Sequence, residues 1–218
     1  MSKCVIFDLD GTILDTIETI TYFVNMTFGE MGIDPILVED CKYYAGNGAR
    51  VLIERALASR GITDEESIRD VLAVYKKHYD DDPFYLTRPF DGIVEMLLKL
   101  RQAGYLLAVV SNKPDSAATP IVKHFFADAF DAITGALDGY PCKPDCALSV
   151  KLLSELGASP SDSIFVGDTY VDMETGKNLG SMRVIGCLWG FRDRDELLGS
   201  GADAVVSTAD ELYEAIVG

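Results

Sequence analysis

Short, almost continuously apolar runs alternate with helical stretches along most of this chain, and this alternation limits the folds that it can adopt. The runs are rich in β-branched residues, and they are Cys4–Phe7, Leu106–Val110, Ile164–Val166, Val184–Leu188 and Ala204–Val206. Segments with apolar residues three and four apart lie between them, as in Gly92–Arg101 and Ala147–Leu156. Strands buried on both faces and connected through helices form a parallel sheet. We therefore predict an α/β fold with a Rossmann-like open parallel sheet.

One long segment, residues 15–86, departs from the alternation directly after the first apolar run. It shows helical periodicity and no convincing strand. Three candidate helices stand out, marked by Ile20, Phe23, Val24 and Phe28, by Val51, Leu52, Arg55, Ala56 and Leu57, and by Ile68, Leu72, Tyr75 and Tyr79. We interpret 15–86 as a helical cap domain inserted into an α/β core formed by 1–14 and 87–218.

Composition excludes several classes of function. The net charge of −16 argues against nucleic acid as a partner, because no basic stripe is present to replace its counterions. The five cysteines are scattered, which argues against a disulfide framework. No apolar run reaches the ~18–20 residues that cross a bilayer, and no signal peptide is visible, so we expect a cytoplasmic protein without a membrane partner. A glycine-flanked serine, a P-loop and a dinucleotide fingerprint are also absent.

Polar residues that can take part in catalysis or ligand binding form four motifs along the chain. Asp8-Leu9-Asp10-Gly11-Thr12 follows the first predicted strand, and Ser111-Asn112-Lys113-Pro114 follows the second. Lys143-Pro144-Asp145 and Gly167-Asp168-Thr169-Tyr170-Val171-Asp172 follow later in the chain. Pro114 and Pro144 each fit the first position of a helix. At the first of these helix starts, Ser111 and Asn112 would help to form an anion site. Ligands of open parallel sheets bind beyond the carboxyl ends of the strands, so these residues are expected to meet.

Each motif alone has an ordinary explanation: an acidic turn in solvent, a helix cap or a surface lysine. Together they combine acids from two strands, which can coordinate Mg²⁺, with a hydroxyl, an amide and a lysine that can hold phosphate oxygens. In order, spacing and strand placement, this set resembles the phosphatase branch of the haloacid dehalogenase superfamily. The position of the insert resembles the members with a small helical cap.

The resemblance implies a reaction and a role for each matching residue. Asp8 would attack phosphorus to form an aspartyl-phosphate, and Asp10 would exchange protons with the leaving oxygen and with water. Asp10 would have to be protonated at first, which neighbouring negative charge would favour. Lys143 would complete the catalytic set. The residues around the phosphate would be Ser111, Asn112, Gly11 and Thr12. The Mg²⁺ ligands would be Asp8, Asp10 through its backbone carbonyl, Asp168, and Asp172 either through water or as an orienting residue.

Closer similarity is to the phosphoglycolate phosphatases, on three segments: Gly46-Asn47-Gly48-Ala49, Val109-Val110-Ser111-Asn112-Lys113-Pro114 and Trp189-Gly190-Phe191. It implies a small phosphorylated metabolite as substrate, with Gly46, Asn47 and Arg50 of the cap in contact with it. Arg50 fits a surface charge equally well. A pyrophosphatase or nucleotide phosphatase, a β-phosphoglucomutase-like phosphotransferase and an idle binding protein remain as alternatives. The chain is expected to be a monomer or a homodimer. Pro120 is expected to kink or shorten the helix after Lys113.

Overall fold

Six parallel strands form one open sheet in this protein. The computed structural model describes residues 3–218. Its strands are β1 (Cys4–Phe7), β2 (Leu14–Asp15), β3 (Arg88–Pro89), β4 (Leu106–Pro114), β5 (Ala132–Ala136), β6 (Ser163–Gly167), β7 (Arg183–Cys187) and β8 (Ala204–Val206). The sheet has the order β5-β4-β1-β6-β7-β8, and all of its neighbours run parallel. The predicted α/β fold with an open parallel sheet is confirmed.

The chain divides into two compact units. One contains the residues up to Asp15 together with Pro89–Gly218, and the other is Thr16–Arg88. The helices of the first unit are α5 (Ile93–Gln102), α6 (Asp115–Phe126), α7 (Ala147–Leu156), α8 (Tyr170–Leu179), α9 (Arg194–Gly199) and α10 (Ala209–Val217). Those of the second unit are α1 (Ile17–Glu30), α2 (Val38–Tyr44), α3 (Ala49–Ala58) and α4 (Glu65–Asp81).

The central strands are buried because helices cover both faces of the sheet. All four residues of β1 are inaccessible to solvent, and Phe165 of β6 is equally buried. One part of the core brings Ile6 and Phe165 together with Leu152 and Leu153 of α7. Nearly continuous apolar runs are the expected sequence of strands in such a position. This burial fixes the register of β1 against its neighbours, which in turn fixes where the residue after Phe7 emerges.

Two predicted helix starts were wrong by a few residues. Strand β4 continues past Val110 to Pro114, with a shift of its register against β5. Helix α6 therefore begins at Asp115, and Ser111 and Asn112 lie on the end of the strand instead of at the helix start. Helix α7 begins only at Ala147, so Pro144 precedes it by three residues. Helix α6 also runs through Pro120 to Phe126, so the expected shortening does not occur.

Strand β5, at one edge of the sheet, was missed because its sequence is short and contains Gly135. The glycine is required there by a close approach of backbone to backbone. A Cβ atom at Gly135 would lie 2.5 Å from the carbonyl oxygen of Lys113 and 2.6 Å from the backbone of Asp115. The N–H group of Gly135 also donates to the Asp115 carboxylate at 2.8 Å. Strand β5 thus packs against the junction between β4 and α6.

The second unit is helical, and it contains one helix more than the three that periodicity indicated. Helix α2 has seven residues and only Cys41 buried, which leaves too little apolar pattern to recognise. Helices α1 and α4 contact each other through aromatic rings, with the Phe23 and Tyr79 centroids 5.4 Å apart. Asp64 caps α4 by accepting from the N–H group of Ser67 at 2.9 Å. No helix within residues 3–218 is long and apolar enough to cross a bilayer.

Candidate active site

Asp8 emerges at the carboxyl end of β1, between two neighbouring strands. Phe7 pairs with Val109 on one side and with Val166 on the other, so all three strands reach the same edge. The N–H group of Asp8 continues this ladder by donating to the Val166 carbonyl at 2.9 Å. Asp8 is 7% exposed. The fold therefore presents a largely buried carboxylate at the edge of the sheet where ligands of open α/β proteins bind.

Lys143 connects this carboxylate to a second one. Its ammonium group donates to Asp8 Oδ1 at 2.5 Å and to Asp172 Oδ1 at 2.7 Å, and all three side chains are buried. The main chain of Lys143 is held in turn by Asn112. The Asn112 amide accepts from the Lys143 N–H group at 2.8 Å and donates to its carbonyl at 3.2 Å. Asn112, which was predicted to bind phosphate, thus uses its side-chain amide to fix the backbone of Lys143.

Asp168 is the third carboxylate of the cluster and is completely buried. Its Oδ1 accepts from the Thr12 hydroxyl at 2.8 Å, and its Oδ2 accepts from the Phe191 N–H group at 2.8 Å. A Cβ atom at either Gly11 or Gly190 would lie 2.3 Å from Asp168. Both glycines are therefore needed for backbone to pack directly against this carboxylate. Gly11 in addition has a φ of 88°, which only glycine adopts without strain.

Asp172 is oriented by the first turn of α8. Its Oδ2 accepts from the N–H group of Thr169 at 3.0 Å and from the Thr169 hydroxyl at 2.8 Å. Since Oδ1 accepts from Lys143, both oxygens of Asp172 already have donors. These hydrogen bonds fit the orienting role, and a ligand role through water, the other possibility that the sequence left open, stays a prediction.

Burial changes the pKa values of these groups. It raises the pKa of Asp8 to about 7, against the lowering effect of Lys143 and with an increase from Asp172. It also places the pKa of Asp168 well above its ordinary value, with further increases from Asp172 and Asp8. Burial alone would lower the pKa of Lys143, but the carboxylates of Asp172 and Asp8 outweigh it and raise that pKa. Burial and the neighbouring carboxylates thus disfavour the ionised forms of Asp8 and Asp168.

The donor set fits a divalent cation. Asp8, Asp168 and Asp172 each offer an oxygen within 4.8 Å of the others. No lysine, arginine or histidine among residues 3–218 forms an ion pair with Asp168. With Asp10 included, four carboxylates face the ammonium groups of Lys143 and Lys113, so the fully ionised site has two uncompensated negative charges. An all-oxygen site of this charge suits Mg²⁺.

Lys113 is a site residue that sequence reasoning missed. Its ammonium group lies 3.1 Å from both carboxylate oxygens of Asp10, and its side chain is 8% exposed. The hydrogen-bonding partner of Asp10 is therefore a cation, which the sequence analysis did not anticipate. A signal was present in the sequence. Lys113 follows Ser111 by two residues, and on a strand such residues point to the same face.

Ser111 lies on the end of β4, at the carboxyl edge of the sheet, and is 3% exposed. Its Oγ accepts from the N–H group of Lys113 at 3.2 Å, so the hydroxyl proton can still be donated to an anion. Gly11 and Thr12 make contacts other than those predicted for them. Their N–H groups donate inside the turn, to Leu14 and Leu9, and the Thr12 hydroxyl donates to Asp168. Their place at the phosphate stays a prediction.

The predicted cap residues lie in the second unit. Gly46 and Asn47 belong to the loop between α2 and α3, where Gly46 has a φ of 108°. Arg50, on α3, is half exposed and forms ion pairs with Glu54 and with Glu65, both at 2.8 Å. These contacts give Arg50 the surroundings of a surface charge, the alternative reading that the sequence allowed.

Comparison with known proteins agrees with this geometry. Residues 5–186 match the family model described as haloacid dehalogenase-like hydrolase. The phosphoglycolate phosphatase of Aquifex aeolicus is 32% identical over 190 residues, which cover 87% of this chain and 86% of that protein. Phosphoglycolate phosphatase 1 of Pseudomonas aeruginosa is 32% identical over 217 residues, covering 97% and 79%.

Solved structures give the same result. The crystal structure of a candidate phosphoglycolate phosphatase from Lactobacillus delbrueckii subsp. bulgaricus superimposes with a TM-score of 0.94 at 34% identity and covers 99% of both chains. A candidate β-phosphoglucomutase from Thermotoga maritima, at 21% identity and a TM-score of 0.73, shares the fold; it covers 99% of this chain and 98% of that one. The chain belongs to the haloacid dehalogenase-like hydrolases.

Proposed function

We propose that this protein is a Mg²⁺-dependent phosphatase that hydrolyses a small phosphate monoester, similar to phosphoglycolate, through an aspartyl-phosphate on Asp8. The observation that carries the proposal is the buried Asp8 carboxylate, 2.5 Å from the Lys143 ammonium group and clustered with Asp168 and Asp172. The relatives named phosphoglycolate phosphatases, which match most of the chain, support the choice of substrate class.

The reaction divides one difficult displacement into two steps. A carboxylate oxygen of Asp8 attacks phosphorus, and the ester oxygen leaves with a proton from Asp10. Water then attacks the phosphorus of the aspartyl-phosphate and gives a proton to Asp10, which releases phosphate and restores Asp8. Lys143 and the Ser111 hydroxyl stabilise the charge on the transferring oxygens. Bound Mg²⁺, held by Asp8, Asp168 and the carbonyl of Asp10, would offset the repulsion between Asp8 and the phosphate.

The remaining residues orient these groups. Asp172 holds Lys143, and Asn112 fixes its main chain, as their hydrogen bonds support. Residues 15–86 act as a cap domain that selects the substrate, with Gly46 and Asn47 near the substrate and Arg50 as a further candidate.

The protein acts in the cytoplasm as a monomer or homodimer. The five cysteines, all of which are free thiols, support this location.

Phosphate release from a panel of small esters, measured with Mg²⁺ and with a chelator, tests the proposal. Phosphoglycolate should be the preferred substrate, and the chelator should abolish turnover. Preference for pyrophosphate or a nucleotide would replace the substrate assignment. Transfer of phosphate between sugar positions without its release would indicate a phosphotransferase. A flat response to every ester, with and without Mg²⁺, would contradict the proposal and indicate a binding protein.

Lys113 is expected to act through Asp10. Replacing it with Met removes the ammonium group that holds both Asp10 oxygens. Proton transfer by a positioned group contributes about 10²–10⁴-fold to rate, and misplacing Asp10 should forfeit about 10²-fold in kcat with little change in KM. Steady-state kinetics on the preferred ester measure both constants.

Two further variants make this prediction sharper. Lys113→Arg keeps a cation near Asp10 and should recover part of kcat. Lys123→Met removes an exposed lysine of α6 and should leave both constants unchanged. A Lys113→Met enzyme with a raised KM and the kcat of the wild type would instead place Lys113 in substrate binding.

A further inference from the structure

The single tryptophan of the chain, Trp189, has no part in the reaction proposed above. It follows β7 in a partly buried position. Its indole Nε1–H donates to the backbone carbonyl of Thr12 at 3.0 Å, and its ring lies against Phe90 with centroids 6.2 Å apart. The hydrogen bond thus connects the loop after β7 to the turn after β1, 177 residues away in the sequence.

Thr12, which accepts this hydrogen bond, also contacts Asp168. The hydroxyl of the same residue donates to Asp168 Oδ1 at 2.8 Å, while its N–H group donates to the Leu9 carbonyl. Thr12 is completely buried, so no water competes for these groups. Because the carbonyl and the hydroxyl belong to one residue, a shift of the Thr12 main chain would move the donor to Asp168.

The other oxygen of Asp168 is held from the tryptophan side. Phe191, two residues after Trp189, donates its N–H group to Asp168 Oδ2 at 2.8 Å. Gly190, between them, packs so closely that a Cβ atom would lie 2.3 Å from Asp168. Trp189, Thr12, Asp168 and Phe191 therefore form a closed ring of contacts around one carboxylate. Within this ring, the indole hydrogen bond joins the turn that contains Thr12 to the loop that contains Trp189 and Phe191.

We infer that Trp189 is a positioning residue for the metal site, acting through Thr12 on Asp168, an inference that rests on the proposed Mg²⁺ site. Without the indole hydrogen bond, the turn of Thr12 and the loop of Phe191 can shift independently, and the orientation of Asp168 is no longer fixed from both sides. Loss of partners that orient a metal ligand typically lowers affinity by about 10–100-fold. Trp189 acts one contact further away, so about 10-fold is expected.

The test measures Mg²⁺ affinity without using turnover. A cation that binds only the folded protein raises its melting temperature, so melting at increasing Mg²⁺ gives an apparent affinity for each variant. Trp189→Phe, which keeps an aromatic ring but removes the N–H donor, should need about 10-fold more Mg²⁺ for half of the stabilisation. Thr12→Val should need about 10–100-fold more, and Thr12→Ser, which keeps the hydroxyl, should stay within about 2-fold of the wild type.

Two controls separate positioning from packing. Phe90→Leu alters the ring contact of Trp189 and leaves its N–H donor, and it should not change the Mg²⁺ requirement by more than about 2-fold. In the wild type and in Thr12→Ser, the tryptophan emission should change with Mg²⁺ at the same midpoint as the melting temperature. If Trp189→Phe does not fold, the comparison of Thr12→Val with Thr12→Ser, read by this emission, carries the test.

The outcomes distinguish the inference from the proposed function. Variants that melt at a lower temperature but respond to Mg²⁺ at the wild-type concentration would show that Trp189 and Thr12 only stabilise the fold, and the inference would be wrong. A phosphatase with an intact Mg²⁺ response would then remain. A wild-type protein that Mg²⁺ does not stabilise would overturn the proposed metal site and the inference with it.

Discussion

Replacing Asp8 with Asn is expected to abolish phosphate release and leave the protein folded. The amide nitrogen cannot attack phosphorus, so the aspartyl-phosphate no longer forms and the rate should fall by roughly 10⁵-fold or more. The fold should tolerate the change, because Asn has nearly the same shape as Asp and its side-chain oxygen can still accept from Lys143. Phosphate release on the preferred ester measures the first effect, and thermal unfolding measures the second.

The negative charge of the site determines how Asp8→Asn should change the unfolding temperature. The fully ionised site has two negative charges more than its two ammonium groups neutralise. The Asn variant removes one of them, so without Mg²⁺ it should unfold at the same temperature as the wild type or above it. Near-normal activity in this variant would refute Asp8 as the nucleophile, whereas loss of activity with loss of folding would leave only a structural role for Asp8.

The sequence predicted the fold well because the central strands are buried on both faces. Runs such as Cys4–Phe7 and Ile164–Val166 are apolar throughout for that reason, and the structure contains a strand at each of them. Edge elements lack this signal. Strand β5 is only partly buried and contains Gly135, which its close contact with the backbone of Asp115 requires. A local pattern cannot reveal a glycine that is selected by a contact distant in sequence.

The candidate site shows the same limit. The parallel strands bring Asp8, Ser111 and Asp168 to one edge of the sheet, and the ends of the predicted strands alone indicate this. What each neighbour does depends on hydrogen bonds that the pattern does not contain. Thr12 was expected at the phosphate, yet its hydroxyl donates to Asp168. Lys113 was passed over, because its pairing with Asp10 joins side chains 103 residues apart.

Replacing Lys143 with Met is expected to remove both activity and much of the stability. The variant leaves Asp8 and Asp172 without the ammonium group that lies 2.5 Å and 2.7 Å from them in a buried site. Removing one member of a buried ion pair typically costs about 3–5 kcal/mol, which in a chain of this size lowers the melting temperature by roughly 10 °C. Loss of the cation facing the phosphoryl oxygens should lower kcat by at least about 10³-fold.

The large loss of stability expected for Lys143→Met comes from the burial of its ion pairs, and an exposed lysine provides the control. Lys151 lies 2.6 Å from Glu155, but both side chains are well exposed, so Lys151→Met should leave the melting temperature close to that of the wild type and leave activity intact. Adding Asp172→Asn to Lys143→Met removes one of the two unpaired carboxylates and should restore part of the melting temperature without restoring turnover. If the double variant melted no higher than the single one, unpaired charge would not be the source of the instability, and Lys143 would stabilise the core through packing.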